Sequence, residues 1–315
     1  MLHSHRLSIL ILAFAVSLCG CAASLPPAHH QAGELQKFAV IIEGHPFAVW
    51  SRQVPNAKGS IVLLHGRTWS ALPDFDLQVP GDQRSTMMAL NERGYTTYAY
   101  DMRGYGSTPR DATGWLTPDR AAADLAGVLQ WVNDHEHRAP VLIGWSQGSI
   151  VAHLTVQDHP QLVSDLILYG YPRDPAVQIP VTASPEAPLR EINTQQRAAS
   201  DFISPAVTPQ QVIDVYVKTA LAADPVRADW RELEQFNALD PARITVPTLL
   251  IHGERDPLTP GAAQARLFMQ LGTADKQWVV LPGADHAALL ENTSPAFVAA
   301  VISFIERPRP RHETQ

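Results

Sequence analysis

A short apolar run passes directly into a glycine-flanked serine turn, and this junction constrains the fold more than any other stretch of the chain. The turn reads Gly144-Trp-Ser146-Gln-Gly148 and follows the run at residues 141–143. A strand that reverses at once into a helix strains its turning residue, and only small neighbours leave room for the close approach. The Ser146 hydroxyl is then exposed at the turn, which makes Ser146 a candidate nucleophile. Because glycine and serine are common, this pattern needs support from the rest of the chain.

Apolar runs and helical patterns alternate along most of the chain. Strands are predicted at residues 60–65, 96–101, 141–144, 165–170, 248–252 and 277–281, and helices at 82–93, 118–133, 147–158, 261–271 and 295–305. Before them, residues 38–43 and 47–51 flank Gly44 and predict an antiparallel hairpin at a sheet edge. The alternation predicts an α/β fold with a doubly wound, mostly parallel sheet of about eight strands. Sites are expected in loops at the carboxyl ends of the strands.

The alternation stops at residues 172–245, where a proline-rich stretch is followed by helical patterns near 209–221 and 227–239. We interpret this segment as a mainly helical cap inserted into a core of residues 36–171 and 246–306. Insertions of this size beside strand ends usually shape access to a site, although a long surface excursion without a role is the simpler alternative.

A serine hydroxyl is a poor nucleophile at neutral pH, so it needs an imidazole base and an acid that orients the imidazole. His286 follows the last predicted strand, and Asp256 follows the strand before it. Both therefore belong at the same sheet edge as Ser146. Asp174, after the strand at 165–170, and Asp285 are the alternative acids.

With these residues in this order, the chain resembles the α/β-hydrolase superfamily of serine hydrolases, whose members include esterases, lipases and aminopeptidases. His65-Gly66-Arg67 is similar to the family's H-G-x turn, and residues 101–106 (Asp-Met-Arg-Gly-Tyr-Gly) are similar to its structural D-x-R-G-x-G loop. The resemblance implies an oxyanion hole formed by the backbone N–H groups of Arg67 and Gln147. No metal and no organic cofactor are expected, since the sequence contains no ligand cluster and no phosphate-binding loop.

Several other side chains near the predicted site have two interpretations each. Trp69, Trp115 and Trp145 either line a substrate pocket or pack in the core. The Arg67 side chain either favours a substrate with a carboxylate or phosphate or pairs with Asp101 or Asp74. His65 and His252, which both precede glycine at strand ends, are expected to be structural.

The N-terminus has the features of an export signal. Arg6 precedes an apolar stretch at residues 7–18 that is too short for a spanning helix. The sequence Leu18-Cys-Gly-Cys21 resembles the lipobox of bacterial lipoproteins, with Cys21 as the lipidated residue. We therefore expect a signal peptide at 1–20, a lipid-anchored tether at 21–35 and a location in the bacterial cell envelope. A disordered tail is expected at 307–315.

The net charge limits the classes of molecule that this protein is expected to bind. A formal net charge of -7 argues against nucleic acid as an electrostatic partner. The expected partners are a small-molecule ester or amide substrate and, through the anchor on Cys21, a membrane. The leading hypothesis is hydrolysis of a carboxylic ester by a Ser146–His286–Asp256 triad. A proline-type aminopeptidase or other amide or thioester hydrolase is the alternative, and a non-catalytic envelope binding protein is the alternative from another class.

Overall fold

The computed structural model describes residues 32–183 and 185–309. The predicted signal peptide and the predicted lipidation site at Cys21 lie outside these residues. Of the predicted tether only residues 32–35 are described, and Leu35 already belongs to the first strand. No helix within the described ranges is long and apolar enough to cross a membrane.

An eight-stranded sheet forms the centre of the molecule. In spatial order its strands are β1 (Leu35–Ile42), β2 (His45–Arg52), β6 (Tyr95–Tyr100), β3 (Gly59–Leu64), β8 (Val141–Trp145), β9 (Asp165–Tyr169), β11 (Thr248–Gly253) and β12 (Lys276–Leu281). The first two strands form the predicted hairpin, and β2 runs antiparallel to β6. All other neighbouring strands of this sheet run parallel. The predicted doubly wound, mostly parallel α/β sheet is therefore confirmed.

Helices cover both faces of this sheet. On one face lie α2 (Thr86–Asn91) and α8 (Ser294–Ile305). On the other face lie α3 (Pro118–Glu136), α4 (Gln147–Asp158) and α7 (Gly261–Gln270). Four of these five helices match the predicted ranges to within three residues, and α2 is shorter than predicted.

The central strands are buried at almost every position because both of their faces are covered, and most of these positions are apolar. In β3, Ile61 and Leu63 pack in the core beneath α2 and α8. Val62 and Leu64 pack in the core beneath α3, α4 and α7. All four side chains are fully buried. This explains why the strand signal is a continuous apolar run rather than an alternating one.

The prediction of one helix over residues 82–93 is wrong in its first part. Residues Asp82–Arg84 form strand β5, which pairs antiparallel with β4 (Leu77–Val79) after the short helix α1 (Ala71–Phe75). Gly81 has a φ of 75°, so the chain reverses there in a tight turn. The helix begins only after Ser85, whose hydroxyl accepts a hydrogen bond from the Met88 amide.

Residues 172–245 contain α5 (Gln195–Ala199) and α6 (Gln210–Ala223), and α6 matches the predicted helix at 209–221. The second helix predicted there, at 227–239, is wrong. Its first part is the two-residue strand β10 (Asp229–Trp230), which pairs with β7 (Trp115–Leu116), and Leu233–Ala238 form a 3₁₀ helix.

Local interactions explain why no α-helix forms at 227–239. The Asp229 carboxylate accepts hydrogen bonds from the amides of Leu189 and Arg190 and from the Arg110 guanidinium. Glu232 then has a left-handed backbone with a φ of 55°, which interrupts helical geometry. The segment is thereby held against the core, and its role as a cap stays a prediction.

The first residues of the predicted disordered tail contact the core. Arg307 lies 2.6 Å from Asp275, and Arg309 lies 2.6 Å from the buried Asp165. The tail beyond Arg309 lies outside the described residues.

Candidate active site

Ser146 occupies a strained turn between β8 and α4. Its φ is 53° and its ψ is -124°, and its amide donates to the Tyr169 carbonyl at 2.9 Å. A Cβ on Gly144 would lie 2.6 Å from the Gly148 carbonyl oxygen, and one on Gly148 would lie 2.4 Å from the His65 carbonyl oxygen. Both positions therefore require glycine, and the strain is held in place by packing on both sides. This is the local structure that the serine pentapeptide predicts.

The turn after β3 lies against the serine. A Cβ on Gly66 would be 3.5 Å from the Ser146 Cβ and 4.0 Å from its hydroxyl oxygen. The next amide along is that of Arg67, and the amide of Gln147 is the first of α4. Neither amide donates a turn or loop hydrogen bond within the described residues. Amides without a backbone partner are available to stabilise a developing oxyanion, and an oxyanion hole formed by these two stays a prediction.

His286 and Asp256 are in direct contact. The Nδ1 atom of His286 lies 2.8 Å from Oδ2 of Asp256, whose side chain is completely buried. The His286 carbonyl accepts two further hydrogen bonds, from Nε1 of Trp145 at 2.9 Å and from the Tyr169 hydroxyl at 2.7 Å. His286 is thus held both through its ring and through its backbone carbonyl. Within the described residues no direct hydrogen bond joins His286 to the Ser146 hydroxyl.

The two alternative acids have other partners. Asp174 forms a bidentate pair with Arg266, with Nε at 2.9 Å, and this pair lowers the pKa of Asp174 to about 2. Asp285 accepts hydrogen bonds from the amides of Ser204 and Ala287. Of the three candidate carboxylates, Asp256 is the one that contacts the His286 ring.

Asp285 forms a buried pair of carboxyl groups with Glu291, which was not among the sequence candidates. Asp285 and Glu291 are both fully buried, and the Asp285 amide donates to Glu291 at 3.1 Å. Burial, together with the Asp285 carboxyl, raises the pKa of Glu291 to about 8. Two such groups cannot both ionise cheaply, so the pair holds a proton at neutral pH. Through Ser204 it also connects the histidine loop to residues 172–245.

A second acid cluster faces the histidine from the segment 172–245. The Tyr216 hydroxyl lies 3.0 Å from Asp74 and 3.1 Å from Asp201. Burial and the neighbouring Asp201 carboxyl raise the pKa of Asp74 well above its usual range. Burial also raises the pKa of Asp201 to about 6, and the hydrogen bond from Tyr216 opposes this increase.

His65 and His252 both contact backbone groups, as expected for structural histidines. Nδ1 of His65 lies 2.9 Å from the Gly66 carbonyl oxygen, and its Nε2 accepts from the Met102 amide at 3.0 Å. Burial lowers the pKa of His65 to about 4, so it stays neutral. His252 contacts the Gly253 carbonyl in the same way, at 2.9 Å.

Asp101 has a structural role in the loop that follows β6. Its carboxylate accepts from the amides of Ala71 and Ser107 and from Nε1 of Trp50, at 2.9 to 3.0 Å. These three donors fix the loop beside the oxyanion turn.

The remaining predicted site residues are tryptophans and the Arg67 side chain. Trp69, Trp115 and Trp145 are all buried, with at most 8% of their surface exposed. A role for them in a substrate pocket stays a prediction. The Arg67 side chain makes no ion pair with Asp101 or Asp74, whose oxygens are bonded to other groups. In the described ranges no group of three or more His, Cys, Asp or Glu side chains could hold a metal ion.

Comparison with known proteins agrees with this fold. The family model described as serine aminopeptidase, S33, matches residues 55–293. Serine hydrolase BPHL of Mus musculus is 27% identical over 225 residues, which cover 66% of this chain and 67% of that protein. Monoacylglycerol lipase of Mycolicibacterium smegmatis is 23% identical over 275 residues, which cover 82% of this chain and 91% of that protein.

A solved esterase structure from Thermogutta terrifontis superimposes with a TM-score of 0.60 at 19% identity, covering 87% of this chain and 98% of the esterase. At that identity the likeness concerns the fold. The family match spans most of the chain and includes Ser146, Asp256 and His286. The chain is therefore an α/β-hydrolase enzyme of the serine hydrolase type and belongs to the family described as serine aminopeptidase, S33.

Proposed function

We propose that the protein hydrolyses a carboxylic ester through an acyl-enzyme, with Ser146 as nucleophile, His286 as base and Asp256 as the acid that orients the base. The observation that carries this proposal is the 2.8 Å contact between His286 and Asp256. It occurs at the sheet edge where Ser146 is held in a strained turn. A buried carboxylate on one ring nitrogen leaves the other nitrogen free to accept a proton.

The steps follow from these positions. Nε2 of His286 takes the Ser146 proton as the serine oxygen bonds to the ester carbonyl carbon. The carbonyl oxygen becomes negative and accepts from the amides of Arg67 and Gln147. When the tetrahedral intermediate collapses, the ester C–O bond breaks and the leaving alcohol takes the proton from His286. A water then gives a proton to His286 as its oxygen bonds to the acyl carbon. The bond between the acyl carbon and the Ser146 oxygen breaks, His286 returns the proton to Ser146, and the acid is released.

The choice of ester over amide rests on the relatives. Monoacylglycerol lipase, by its name, acts on an acylglycerol ester. The family description names an aminopeptidase, so cleavage of an amide is the second candidate. Fold and triad do not decide between these substrates, because both bonds are cleaved through the same tetrahedral intermediate.

A substrate panel tests the proposal. The purified full chain and its S146A variant are assayed with 4-nitrophenyl esters of two to twelve carbons and with matched anilides, including N-terminal prolyl anilides. We expect ester turnover by the wild type and none by S146A. Turnover of prolyl anilides alone would favour the aminopeptidase. If a folded wild type turns over neither class, a binding role on a hydrolase scaffold is favoured.

We also propose that the protein is exported and anchored to the cell envelope through Cys21. Support comes from the signal-like sequence ending in Leu18-Cys-Gly-Cys21. Incorporation of labelled palmitate by the wild type and its loss in C21S would support the anchor. Equal incorporation in both would contradict it.

A further inference from the structure

The Arg67 side chain has an unusual environment for a cation. Its Nε atom is completely buried and has no hydrogen-bond partner within the described residues. Loss of hydration lowers the pKa of the guanidinium, which nevertheless stays charged in proteins. The residue as a whole is half-buried, so its charge loses part of its hydration without compensation from a partner. Among the residues that the structure describes, the Arg67 side chain forms no ion pair.

The charged neighbour of this guanidinium has the same sign. Arg227, from the segment 172–245, repels Arg67. The Glu191 carboxylate pairs with Arg227 at 3.7 Å and also with Arg197 at 3.2 Å, so it compensates the charge of Arg227 only in part. Arg67 and Arg227 are therefore two neighbouring cations, and the one carboxylate that pairs with Arg227 in the described part of the chain is shared with Arg197. In a protein with a net charge of -7, two neighbouring cations with so little compensation are unusual.

The nearby acids do not supply a counter-ion for Arg67. Asp74 accepts from the Gly66 amide and the Tyr216 hydroxyl, and Asp201 contacts the same hydroxyl. Asp224 accepts from the amides of Ser70 and Gly106, both at 2.8 Å. Within the described ranges none of these acids forms an ion pair with Arg67.

The position of Arg67 is fixed relative to the reacting serine. Its residue follows Gly66, whose added Cβ would lie 4.0 Å from the Ser146 hydroxyl oxygen. The Arg67 carbonyl accepts from the Tyr105 hydroxyl, which in turn accepts from Nε1 of Trp230 at 2.8 Å. The turn that carries the proposed oxyanion donor therefore also holds the unpaired guanidinium, so one bound molecule can meet both.

We propose that Arg67, supported by Arg227, binds a carboxylate or phosphate group of the substrate, so that the preferred substrates are esters carrying an anionic oxyacid group. This inference rests on the proposed function for its ester chemistry. A guanidinium binds such groups through two parallel N–H donors, which adds orientation to charge. The second arginine reduces the cost of dehydrating the anion.

Turnover of three esters of similar length tests the proposal. They are the 4-nitrophenyl half-ester of glutaric acid, 4-nitrophenyl 4-phosphonobutyrate and the neutral 4-nitrophenyl pentanoate. For the full-length wild type we expect kcat/KM to be at least tenfold higher for one of the anionic esters. In R67M the ratio of anionic to neutral kcat/KM should fall by about tenfold to a hundredfold. The ester whose ratio falls more identifies the carboxylate or the phosphate as the ligand.

A charge-matched control removes a guanidinium far from the site. Arg243 pairs with Asp158 at the far end of α4, and R243M should leave the ratio of anionic to neutral kcat/KM unchanged. An equal loss of the ratio in R243M and R67M, or the same ratio in R67M and wild type, would overturn the proposal. A wild type that prefers the neutral ester would overturn it too.

A binding experiment separates this inference from the proposed function. The S146A variant of the full chain is titrated with monomethyl glutarate and with methyl phosphate by calorimetry, alongside S146A/R67M. Binding of one anion by S146A that weakens at least tenfold in S146A/R67M supports the anion site, even if no ester is hydrolysed. Absence of binding at millimolar concentration, or equal binding by both variants, overturns the site whatever the turnover result.

Discussion

The Nδ1 atom of His286 lies 2.8 Å from the Oδ2 atom of Asp256, and the two residues follow neighbouring parallel strands, β12 and β11. The carboxylate is completely buried and the ring is nearly so. A buried anion beside one ring nitrogen selects the tautomer that accepts a proton at the other nitrogen.

Replacing this carboxylate should remove most of the activity without unfolding the protein. We expect D256N to lower kcat by about 10³-fold to 10⁴-fold, because the amide favours the wrong tautomer of His286. Ester hydrolysis and circular dichroism measure the two effects. D174N is the matched control, since Asp174 pairs with Arg266 at the surface. A larger loss of activity in D174N than in D256N would contradict the assignment.

Gly148 should not tolerate a side chain. In G148A the new Cβ would lie 2.4 Å from the His65 carbonyl oxygen and 2.5 Å from that of Leu64, both of them backbone atoms. We expect a loss of about 3 kcal/mol or more in the free energy of unfolding, measured with urea. G261A is the control, because a Cβ there meets nothing within 4 Å, and it should be neutral or slightly stabilising. Equal stability of the two variants would contradict this account of the serine turn.

Removal of the Tyr216 hydroxyl should destabilise the protein. Y216F leaves Asp74 and Asp201 without the group that both contact, which is expected to cost about 1–3 kcal/mol of unfolding free energy. Y95F is the control, because the Tyr95 hydroxyl makes a partly exposed contact of 3.3 Å with Glu306. Urea unfolding at pH 7 measures both variants. A smaller loss in Y216F than in Y95F would show that the acid cluster does not depend on the tyrosine.

Glu291 should give the protein a pH-dependent stability. Its pKa is raised from 4.5 to about 8, so the folded state keeps a proton that the unfolded state has lost within that window. The free energy of unfolding should therefore decrease as pH rises from about 5 to 8, by up to about 1.4 kcal/mol per pH unit from this group. Urea unfolding at several pH values should show a flatter dependence in E291Q. The exposed substitution E186Q should follow the wild type, and an unchanged slope in E291Q would contradict this origin.

The main sheet was predictable because the apolar runs of its strands are continuous and their order decides which loops meet. Ser146, Asp256 and His286 each follow such a run, so their sequence positions placed them at one edge of a parallel sheet. The same reasoning favoured Asp256 but left Asp174 as an alternative acid, since both follow strands. In the structure Asp174 forms an ion pair with Arg266, a surface residue of α7, and is not the acid beside His286.

Other features depend on contacts that no local pattern contains. Tyr216 brings together Asp74 and Asp201 from distant parts of the chain, and nothing in their flanking residues indicates it. The sequence contains one signal for the Asp285–Glu291 pair. The two acids lie on either side of the apolar stretch at 287–290, which is buried throughout, so both could have been predicted to be buried. The helix predicted at 227–239 is wrong because Asp229 bonds to the amides of Leu189 and Arg190, in an earlier part of the same segment, instead of continuing a helix.

The most direct test of the account is covalent labelling of the nucleophile. The purified full chain is treated with a fluorophosphonate, and the intact mass and the modified peptide are measured for the wild type, S146A and H286A. The account predicts a single adduct on Ser146 in the wild type, none in S146A and a much slower reaction in H286A. A folded wild type that stays unlabelled, or an adduct on any residue other than Ser146, would contradict it.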